Sequence, residues 1–194
     1  MTRRVGVFGG TFDPPHLGHL ALAEWARGRL GLSRVLFVPA GQPPHKRARA
    51  VTPATHRMAM TRLAARGNPA FVVSDIEAAR EGPSFTVDTL RALKASERGA
   101  RLVLVLGEDS LDEFGTWRDP AGILKLATLA VAERPGRRAG RTRHPRCTWL
   151  GNPRLEISSS VLRRRVREGR SLRYLVPDAV IAYIRRHRLY GADA

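Results

Sequence analysis

Two histidines, His16 and His19, stand three residues apart just after an apolar run that ends in Gly9 and Gly10. On a helix this spacing places both imidazoles on the same face. The start of a helix presents unpaired backbone N–H groups and attracts anions, so imidazoles there can donate hydrogen bonds to phosphate. A histidine pair can also merely decorate a helix surface. The paired glycines, and Gly18 between the histidines, favour a phosphate-binding site instead.

The prolines before His16 indicate where this helix begins. Proline disfavours the α conformation in the residue before it, so Pro14 is predicted to be non-helical and Pro15 to be the first helical residue. By similar reasoning a later helix has Thr52 as its N-cap and Pro53 in its first turn. The chain contains neither a GxxxxGK[ST] P-loop nor a GxGxxG dinucleotide fingerprint. The phosphate site therefore belongs to another kind of nucleotide-binding protein.

The elements that must position these residues alternate along the chain. Short apolar segments closed by turn residues are predicted to be strands: RRVGVFG, RVLFVPA, FVVSD, RLVLVLG, TLAVAER and CTWL. The helical segments are HLGHLALAEWARGRLG, TPATHRMAMTRLAARG, SFTVDTLRALKASERG, EDSLDEF, SSVLRRRVREG and PDAVIAYIRRHRL. This alternation predicts an α/β fold, Rossmann-like and doubly wound, with a mostly parallel sheet, helices on both faces and a helical C-terminal segment. Ligands of such sheets bind beyond the carboxyl ends of the strands.

Length and composition limit the class of protein. The 194 residues are enough for a single domain, residues 1–194. Cys147 is the only cysteine and no long apolar segment occurs, so we expect a cytoplasmic protein without membrane contact. The formal net charge of +17 is carried mainly by arginine. It fits a solvated basic surface, a nucleic-acid-binding face or the attraction of phosphate-rich small molecules. The basic residues 134–146 are expected to form a loop.

Two further groups of residues could bind a nucleotide. Ser158 can cap a helix while Ser159, Ser160 and Arg163 face a phosphate, although this pattern is also that of an ordinary capped helix. Asp109 follows the strand RLVLVLG, at a position where a carboxylate can accept hydrogen bonds from ribose hydroxyls. Its acidic neighbours fit the favourable placement of negative charge in the first turn of a helix.

The segment GGTFDPPHLGH resembles the signature of nucleotidylyltransferases with a His-x-Gly-His motif, and in this form it is most similar to the bacterial nicotinate-nucleotide adenylyltransferase family. Further segments resemble that family's motifs in the same order: PPHK, PSFTVDTL, GEDSLDEFGTW, RPG and ISSSVLRRRV. The resemblance covers almost the whole chain. It departs from the commoner pattern at Ser160 and Leu162, which replace threonine and isoleucine, and at Arg118, where some members have an aromatic residue.

The resemblance implies an enzyme that transfers the adenylyl group of ATP to nicotinate mononucleotide, releasing pyrophosphate, by direct in-line attack. It implies a catalytic role for His16, His19 and Arg163. The residues implied to bind ATP and its phosphates are Gly9, Gly10, His45, Lys46, Gly107, Asp109, Ser158, Ser159 and Ser160. Those implied to bind nicotinate mononucleotide are Thr11, Thr86, Trp117 and Arg134.

The expected cofactor is Mg²⁺ bound with the ATP phosphates, since no cluster of Cys or His indicates a tightly bound protein metal. The expected partners are ATP and nicotinate mononucleotide, with no nucleic acid and no membrane, and a homo-oligomer is possible. Two alternatives remain. One is phosphopantetheine adenylyltransferase, which has the same fold and serine-rich motif. The other is a basic nucleic-acid-binding module, which the aromatic content of 6% does not favour.

Overall fold

The computed structural model describes residues 2–42, 51–133, 147–153 and 155–192. Within them, six strands form one sheet in the order β3-β2-β1-β4-β5-β6, and every neighbouring pair is parallel. The strands are β1 (Arg4–Gly10), β2 (Arg34–Pro39), β3 (Phe71–Val73), β4 (Arg101–Gly107), β5 (Ala127–Ala132) and β6 (Cys147–Trp149). All six predicted strands are confirmed, and the carboxyl ends of β1 and β4 lie side by side at the centre of the sheet.

In the part of the chain that the structure describes, seven α-helices connect and follow the strands. They are α1 (Leu17–Leu30), α2 (Ala54–Ala65), α3 (Thr86–Ser96), α4 (Glu108–Asp112), α5 (Pro120–Leu126), α6 (Ser159–Arg167) and α7 (Asp178–Arg186). Short 3-10 helices occupy Phe114–Thr116 and Leu189–Gly191. The helices confirm the predicted Rossmann-like α/β class. Helix α5 was not predicted; Asp119 caps it by accepting a hydrogen bond from the backbone N–H of Gly122, with Pro120 in its first turn.

The sheet is buried on both faces, as strands that alternate with helices require. Alternate residues such as Val7 and Leu104 pack on one face against α3 and α5. Residues of the opposite parity, such as Phe8 and Phe37, pack against α1 on the other face. The period of two along each strand thus divides the apolar side chains between two cores.

A third apolar cluster joins the C-terminal helices to the rest of the chain. Leu162 of α6 and Ile184 of α7 pack with Met60 of α2, and all three are almost fully buried. The C-terminal segment is therefore attached to α2 and, through α6, to the region beyond the strand ends. Among the described helices, none has both the length and the apolar character needed to cross a bilayer.

Two predicted helix starts are wrong by one or two residues. Pro15 is not helical: α1 begins at Leu17, and His16 is its N-cap with an extended backbone. Helix α2 has Pro53, not Thr52, as its N-cap. Thr52 instead donates its backbone N–H to the Asp13 carboxylate at 3.2 Å, a tertiary contact that local sequence rules do not anticipate.

Candidate phosphate-binding site

The loop between β1 and α1 turns sharply at Phe12. This residue is 1% exposed and has a φ of 49°, a left-handed conformation that is unusual for a bulky residue. Its ring contacts those of Phe8 and Phe37, each with a centroid distance of 5.6 Å. Gly10 makes room for this arrangement, because a Cβ there would lie 2.9 Å from the Phe12 ring. Packing around Phe12 thus determines the direction in which the chain leaves β1.

His16 and His19 lie together at the start of α1. Their rings are stacked with a centroid distance of 3.6 Å. The backbone N–H of His16 donates a hydrogen bond to Nδ1 of His19 at 3.2 Å. In the neutral ring an accepting Nδ1 places the proton on Nε2, so His19 has a donor on the other side of its ring. The ring is further fixed by an edge contact with Phe12 at 5.0 Å.

His16 is more deeply buried than His19, with 5% of its surface exposed. Loss of hydration by burial lowers the pKa of His16 from 6.5 to about 4. The side chain is therefore neutral at physiological pH, where it can donate one hydrogen bond but carries no charge. A side chain at position 18 would crowd this ring, since a Cβ on Gly18 would lie 3.0 Å from Nδ1 of His16.

The start of α6 faces the same loop. Ser158 caps the helix as predicted by accepting the backbone N–H of Val161, and its hydroxyl lies 3.1 Å from that of Ser160. The Ser159 hydroxyl donates to the carbonyl oxygen of Pro14 at 2.9 Å. Arg163 donates to the carbonyl oxygen of Asp13 at 2.7 Å. Two side chains of α6 therefore hold the backbone that leads into the histidine pair.

A cavity of about 400 Å³ lies between these elements at the carboxyl edge of the sheet. It brings together seven of the predicted residues: His16, His19, Gly107, Ser158, Ser159, Ser160 and Arg163. A larger groove of about 680 Å³ lies at the end of α2 beside β3, but it is shallow and contains none of the predicted residues. The first cavity is the candidate phosphate-binding site, because imidazole, hydroxyl and guanidinium groups converge there.

Two other predicted nucleotide-binding positions lie beside this cavity rather than in its lining. Asp109 is the second residue of α4 and lies two positions after the cavity residue Gly107. At Gly9 a Cβ would meet no atom within 4 Å, so the backbone there is open to close approach. At Gly10, by contrast, a side chain would clash with the Phe12 ring.

Thr86 and Trp117, predicted to bind the acceptor, lie outside the lining of the cavity, on the α3 side of the sheet. Thr86 is the first residue of α3. Trp117 is half-buried, with its ring 5.6 Å from that of Phe114. Arg118 stacks its guanidinium over Phe85 at 4.7 Å and lies 3.7 Å from the Asp88 carboxylate. The N-terminus of a helix that follows a parallel strand lies at the carboxyl edge, so this group borders the same edge as the cavity.

Thr11 lies in the loop between β1 and α1, and its carbonyl oxygen accepts a hydrogen bond from Arg57 at 3.0 Å. The predicted residues His45, Lys46 and Arg134 lie outside the described residues. The expected basic loop, residues 134–146, also lies outside them.

Sequence reasoning missed two pairs of residues at this site. Glu133 and Asn152 follow β5 and β6 and line the cavity, and the Glu133 backbone N–H donates to the Asn152 side-chain oxygen at 2.9 Å. Both residues lie near the end of a predicted strand, and this position in the sequence could have identified them as candidates for the site. Asp13 and Arg57 are 4% and 1% exposed and support the loop between β1 and α1 from behind. No local pattern identifies a buried arginine on a helix as part of such a site.

Arg57 makes three hydrogen bonds to backbone carbonyl oxygens, those of Thr52, Thr11 and Gly41, at 2.8 to 3.1 Å. Burial lowers the pKa of its guanidinium, while the nearby Asp13 carboxylate acts in the opposite direction. A buried guanidinium is tolerated because its donors are satisfied and an opposite charge is close.

A parallel sheet in this order, with anion-binding groups beyond the ends of β1 and β4, defines a nucleotide-binding α/β protein, and residues 7–165 match the model of the cytidylyltransferase-like family. A relative from Thermomicrobium roseum named nicotinate-nucleotide adenylyltransferase is 49% identical, over 96% of this chain and 91% of its own. A relative from Roseiflexus with the same name is 47% identical, over 96% and 97%. The chain belongs to the nicotinate-nucleotide adenylyltransferase family.

The solved structures agree on the fold. The nicotinic acid mononucleotide adenylyltransferase of Plasmodium falciparum, in complex with NaAD, matches with a TM-score of 0.84 over 98% of both chains, at 17% identity. The same enzyme in complex with APC matches with a TM-score of 0.82. Neither phosphopantetheine adenylyl transfer nor nucleic-acid binding is favoured by these relatives.

Proposed function

We propose that the chain transfers the adenylyl group of ATP to nicotinate mononucleotide, giving nicotinate adenine dinucleotide and pyrophosphate. The observation that carries this is the cavity at the ends of β1 and β4. In it the stacked histidines of α1 face the serines and Arg163 of α6. Family membership supplies the reaction, and the cavity supplies a place in this chain for the ATP phosphates.

The reaction forms a bond between a 5′-phosphate oxygen of the mononucleotide and the α-phosphorus of ATP. The bond from that phosphorus to the bridging oxygen breaks, and pyrophosphate leaves with the electron pair. Because the attacking phosphate is already an anion, no side chain need remove a proton from it. The protein must align two anions and stabilise negative charge as it moves towards pyrophosphate.

His19 is the group that we assign to the α-phosphate in the transition state. Its Nδ1 accepts the His16 backbone N–H, so in the neutral ring the proton lies on Nε2, and we assign this Nε2–H to a phosphate oxygen. Arg163 and the N-terminus of α6 with Ser158, Ser159 and Ser160 supply charge and N–H donors for the leaving phosphates. Arg163 already points into the loop region through its bond to the Asp13 carbonyl oxygen.

The acceptor is assigned to the Thr86 and Trp117 side of the same edge. Trp117 offers a ring for stacking on nicotinate and Thr86 a hydroxyl beside its carboxylate. Thr11 of the loop is assigned to the acceptor as well, and Asp109 to a ribose of ATP. His45, Lys46 and Arg134 remain proposals from the family resemblance, for phosphate contacts in the case of His45 and Lys46 and for the acceptor in the case of Arg134.

Magnesium enters the proposal as a companion of ATP. In the described ranges no three His, Cys, Asp or Glu side chains form a group that could hold a metal ion. We assign Mg²⁺ to the phosphate oxygens of ATP, where it would neutralise charge on the triphosphate. The protein groups bind and orient the phosphates around it.

Three further predictions concern the domain organisation, the oligomeric state and the location of the protein in the cell. A single catalytic domain over residues 1–194 and a homo-oligomer both stay predictions. The cytoplasm stays the expected location, since one cysteine suits a reducing compartment.

The direct test supplies purified protein with ATP, Mg²⁺ and each of three acceptors: nicotinate mononucleotide, nicotinamide mononucleotide and phosphopantetheine. We expect pyrophosphate release and dinucleotide formation to be fastest with nicotinate mononucleotide. Comparable turnover with phosphopantetheine would move the chain to the other adenylyltransferase. Absence of turnover with all three would contradict the proposed function.

A further inference from the structure

Near the C-terminal end of the described chain, the hydroxyl of Tyr190 reaches into the loop between β1 and α1. We propose that Tyr190 is a positioning residue for the ATP-phosphate site, acting through Asp13 on Arg163. The inference rests on the proposed function only in assigning the phosphates of ATP to the cavity beside His19 and Arg163. It extends that function by making ATP binding depend on a residue outside the cavity.

Asp13 is the centre of this arrangement. It is 4% exposed, and each carboxylate oxygen has its own donor. The Tyr190 hydroxyl donates to Oδ1 at 2.6 Å, and the Thr52 backbone N–H donates to Oδ2 at 3.2 Å. A short bond from a hydroxyl to a carboxylate is among the stronger hydrogen bonds in proteins. The position of the Asp13 side chain is therefore determined by Tyr190 and Thr52 together.

The backbone of the same residue holds Arg163. Nη1 of Arg163 donates to the Asp13 carbonyl oxygen at 2.7 Å, and the next carbonyl, that of Pro14, accepts the Ser159 hydroxyl at 2.9 Å. Because the two acceptors are the carbonyl oxygens of consecutive residues, a backbone shift at Asp13 and Pro14 would move the partners of two cavity residues at once. The side chain of Asp13 bonds to Tyr190, and its backbone carbonyl oxygen bonds to Arg163 at the cavity. Asp13 therefore connects Tyr190 to Arg163.

Tyr190 is held for this contact by its own backbone. It lies in the 3-10 helix Leu189–Gly191 with φ 62° and ψ 15°, a left-handed conformation that a tyrosine adopts at an energetic cost. Burial, with the adjoining Asp13 carboxylate, raises the pKa of Tyr190 far above its usual value. The hydroxyl is thus a permanent donor over the working pH range.

The buried charge of Asp13 makes this hydroxyl hard to replace. The guanidinium of Arg57 is close enough to interact with Asp13 electrostatically, but its hydrogen bonds go to the carbonyl oxygens of Thr11, Thr52 and Gly41. If the Tyr190 hydroxyl is removed, Oδ1 of Asp13 loses its donor, and we expect the residue, including its backbone, to shift towards another. Such a shift would change the geometry of the bond from Arg163 to the Asp13 carbonyl oxygen.

The test compares Tyr190→Phe with Tyr183→Phe. Both changes remove one hydroxyl from a partly buried tyrosine in the C-terminal segment, but that of Tyr183 bonds to Nδ1 of His56 at 2.9 Å rather than to the loop between β1 and α1. We expect Tyr190→Phe to weaken binding of α,β-methylene-ATP about tenfold by calorimetry and to raise KM for ATP similarly, with KM for nicotinate mononucleotide within about twofold. Tyr183→Phe should change neither constant.

A double-mutant cycle with Arg163→Ala tests the route of the effect. If Tyr190 acts through Arg163, Tyr190→Phe should weaken analogue binding much less in the Arg163→Ala background than in the wild type. Equal losses in both backgrounds would overturn the proposal. So would unchanged analogue binding in Tyr190→Phe, or a variant that unfolds below the assay temperature, since the hydroxyl would then serve stability alone.

The binding measurement separates this inference from the proposed function. Binding of the analogue requires no acceptor, so a loss confined to Tyr190→Phe would support the positioning role even if the wild type failed to use nicotinate mononucleotide. If the wild type turns over normally and Tyr190→Phe binds the ATP analogue as well as the wild type does, the proposed function stands and the positioning role of Tyr190 is contradicted.

Discussion

The two histidines of α1 have different environments although they belong to one motif. His16 is buried and its pKa is lowered, whereas His19 is half-buried and has a backbone donor on Nδ1. The hydrogen bond to His19 matters because it places the proton of the neutral ring on Nε2, the nitrogen that we propose as a phosphate donor. Burial matters for His16 because a neutral ring can pack against its neighbour without charge repulsion. The roles of the pair in catalysis and stability are therefore separable.

Two replacements of His19 separate its two nitrogens. Asparagine has an oxygen near the position of Nδ1 and can still accept the His16 N–H, but it lacks a donor at the position of Nε2. Glutamine can place its amide near Nε2. We expect kcat to fall by about a thousandfold in His19→Asn and distinctly less in His19→Gln, because one transition-state donor is worth about that factor. Steady-state kinetics check this, and equal kcat values in His19→Asn and the wild type would exclude His19 from the chemistry.

The lowered pKa of His16 predicts a loss of stability in acid. The unfolded chain binds a proton at His16 below pH 6.5, whereas the folded chain resists it down to about pH 4. Between these values the unfolded state binds more protons, so the free energy of unfolding must decrease as the pH falls. From pH 7 to pH 5 this group contributes a loss of about 2 kcal/mol.

Urea unfolding of the wild type and His16→Asn at several pH values tests whether protonation of His16 causes this loss of stability. The asparagine side chain does not titrate, so the variant should lose less stability over the same interval. Parallel curves for the two proteins would show that His16 is not responsible. The comparison needs no substrate and so is independent of the enzyme's activity.

At the scale of the element, α1 contains two glycines with different surroundings. A Cβ at Gly18 would lie 3.0 Å from Nδ1 and 3.2 Å from Cε1 of His16. A Cβ at Gly28, in the last turn, would meet no atom within 4 Å. Glycine destabilises a helix relative to alanine, so its presence at Gly18 needs a local reason, and the His16 ring supplies one.

Alanine at each of these positions gives a matched pair. Gly28→Ala should raise the free energy of unfolding by about 0.5–1 kcal/mol without changing kcat. Gly18→Ala should displace the His16 ring, reduce this gain or reverse it, and lower kcat by about tenfold. Thermal unfolding and kinetics measure both. The explanation fails if Gly18→Ala matches Gly28→Ala in stability and activity.

At the scale of the whole molecule, the chain has a formal net charge of +17, and both proposed substrates are anions. A field of this sign raises the local concentration of ATP and nicotinate mononucleotide and is weakened by salt. Charge of this kind does not require a nucleic-acid partner, since both proposed substrates are polyanions or carry phosphate. The arginine excess can thus act in substrate capture.

Salt should therefore affect the KM for ATP more than it affects kcat. We expect KM for ATP to rise several-fold between about 50 mM and about 500 mM NaCl at constant free Mg²⁺, with kcat changing little. An equal osmolality of sucrose is the control, since it leaves the charges unscreened. A KM that stays constant with salt would mean that only short-range contacts hold the nucleotide.

Much of the fold follows from local patterns. The six strands are predictable because each contains a short apolar run, and in β4 the apolar residues are consecutive from Leu102 to Leu106, as expected for a strand covered on both faces. Helix α5 was missed because seven residues offer little periodicity and its cap depends on Asp119 in a left-handed conformation. The start of α1 was placed too early because Pro15 satisfies the local rule for a first helical residue.

Several residues of the candidate site could likewise be identified from sequence patterns, whereas their arrangement in space could not. His16, His19, Ser158 and Arg163 were found from their types, their spacing and the family resemblance. Their convergence in one cavity required the parallel order of the strands, which places segments about 140 residues apart at one edge. Asn152 could have been found from its place after a strand.

The sequence by itself determined the alternation of strands and helices, the histidine pair and the family to which the chain belongs, because each depends on residue types over short distances. The tertiary structure alone decided which nitrogen of His19 accepts a hydrogen bond, the burial that lowers the pKa of His16, and the contact of Tyr190 with Asp13. These depend on distances between residues far apart in the chain. Such distances are set by how the apolar faces of helices and sheet pack together.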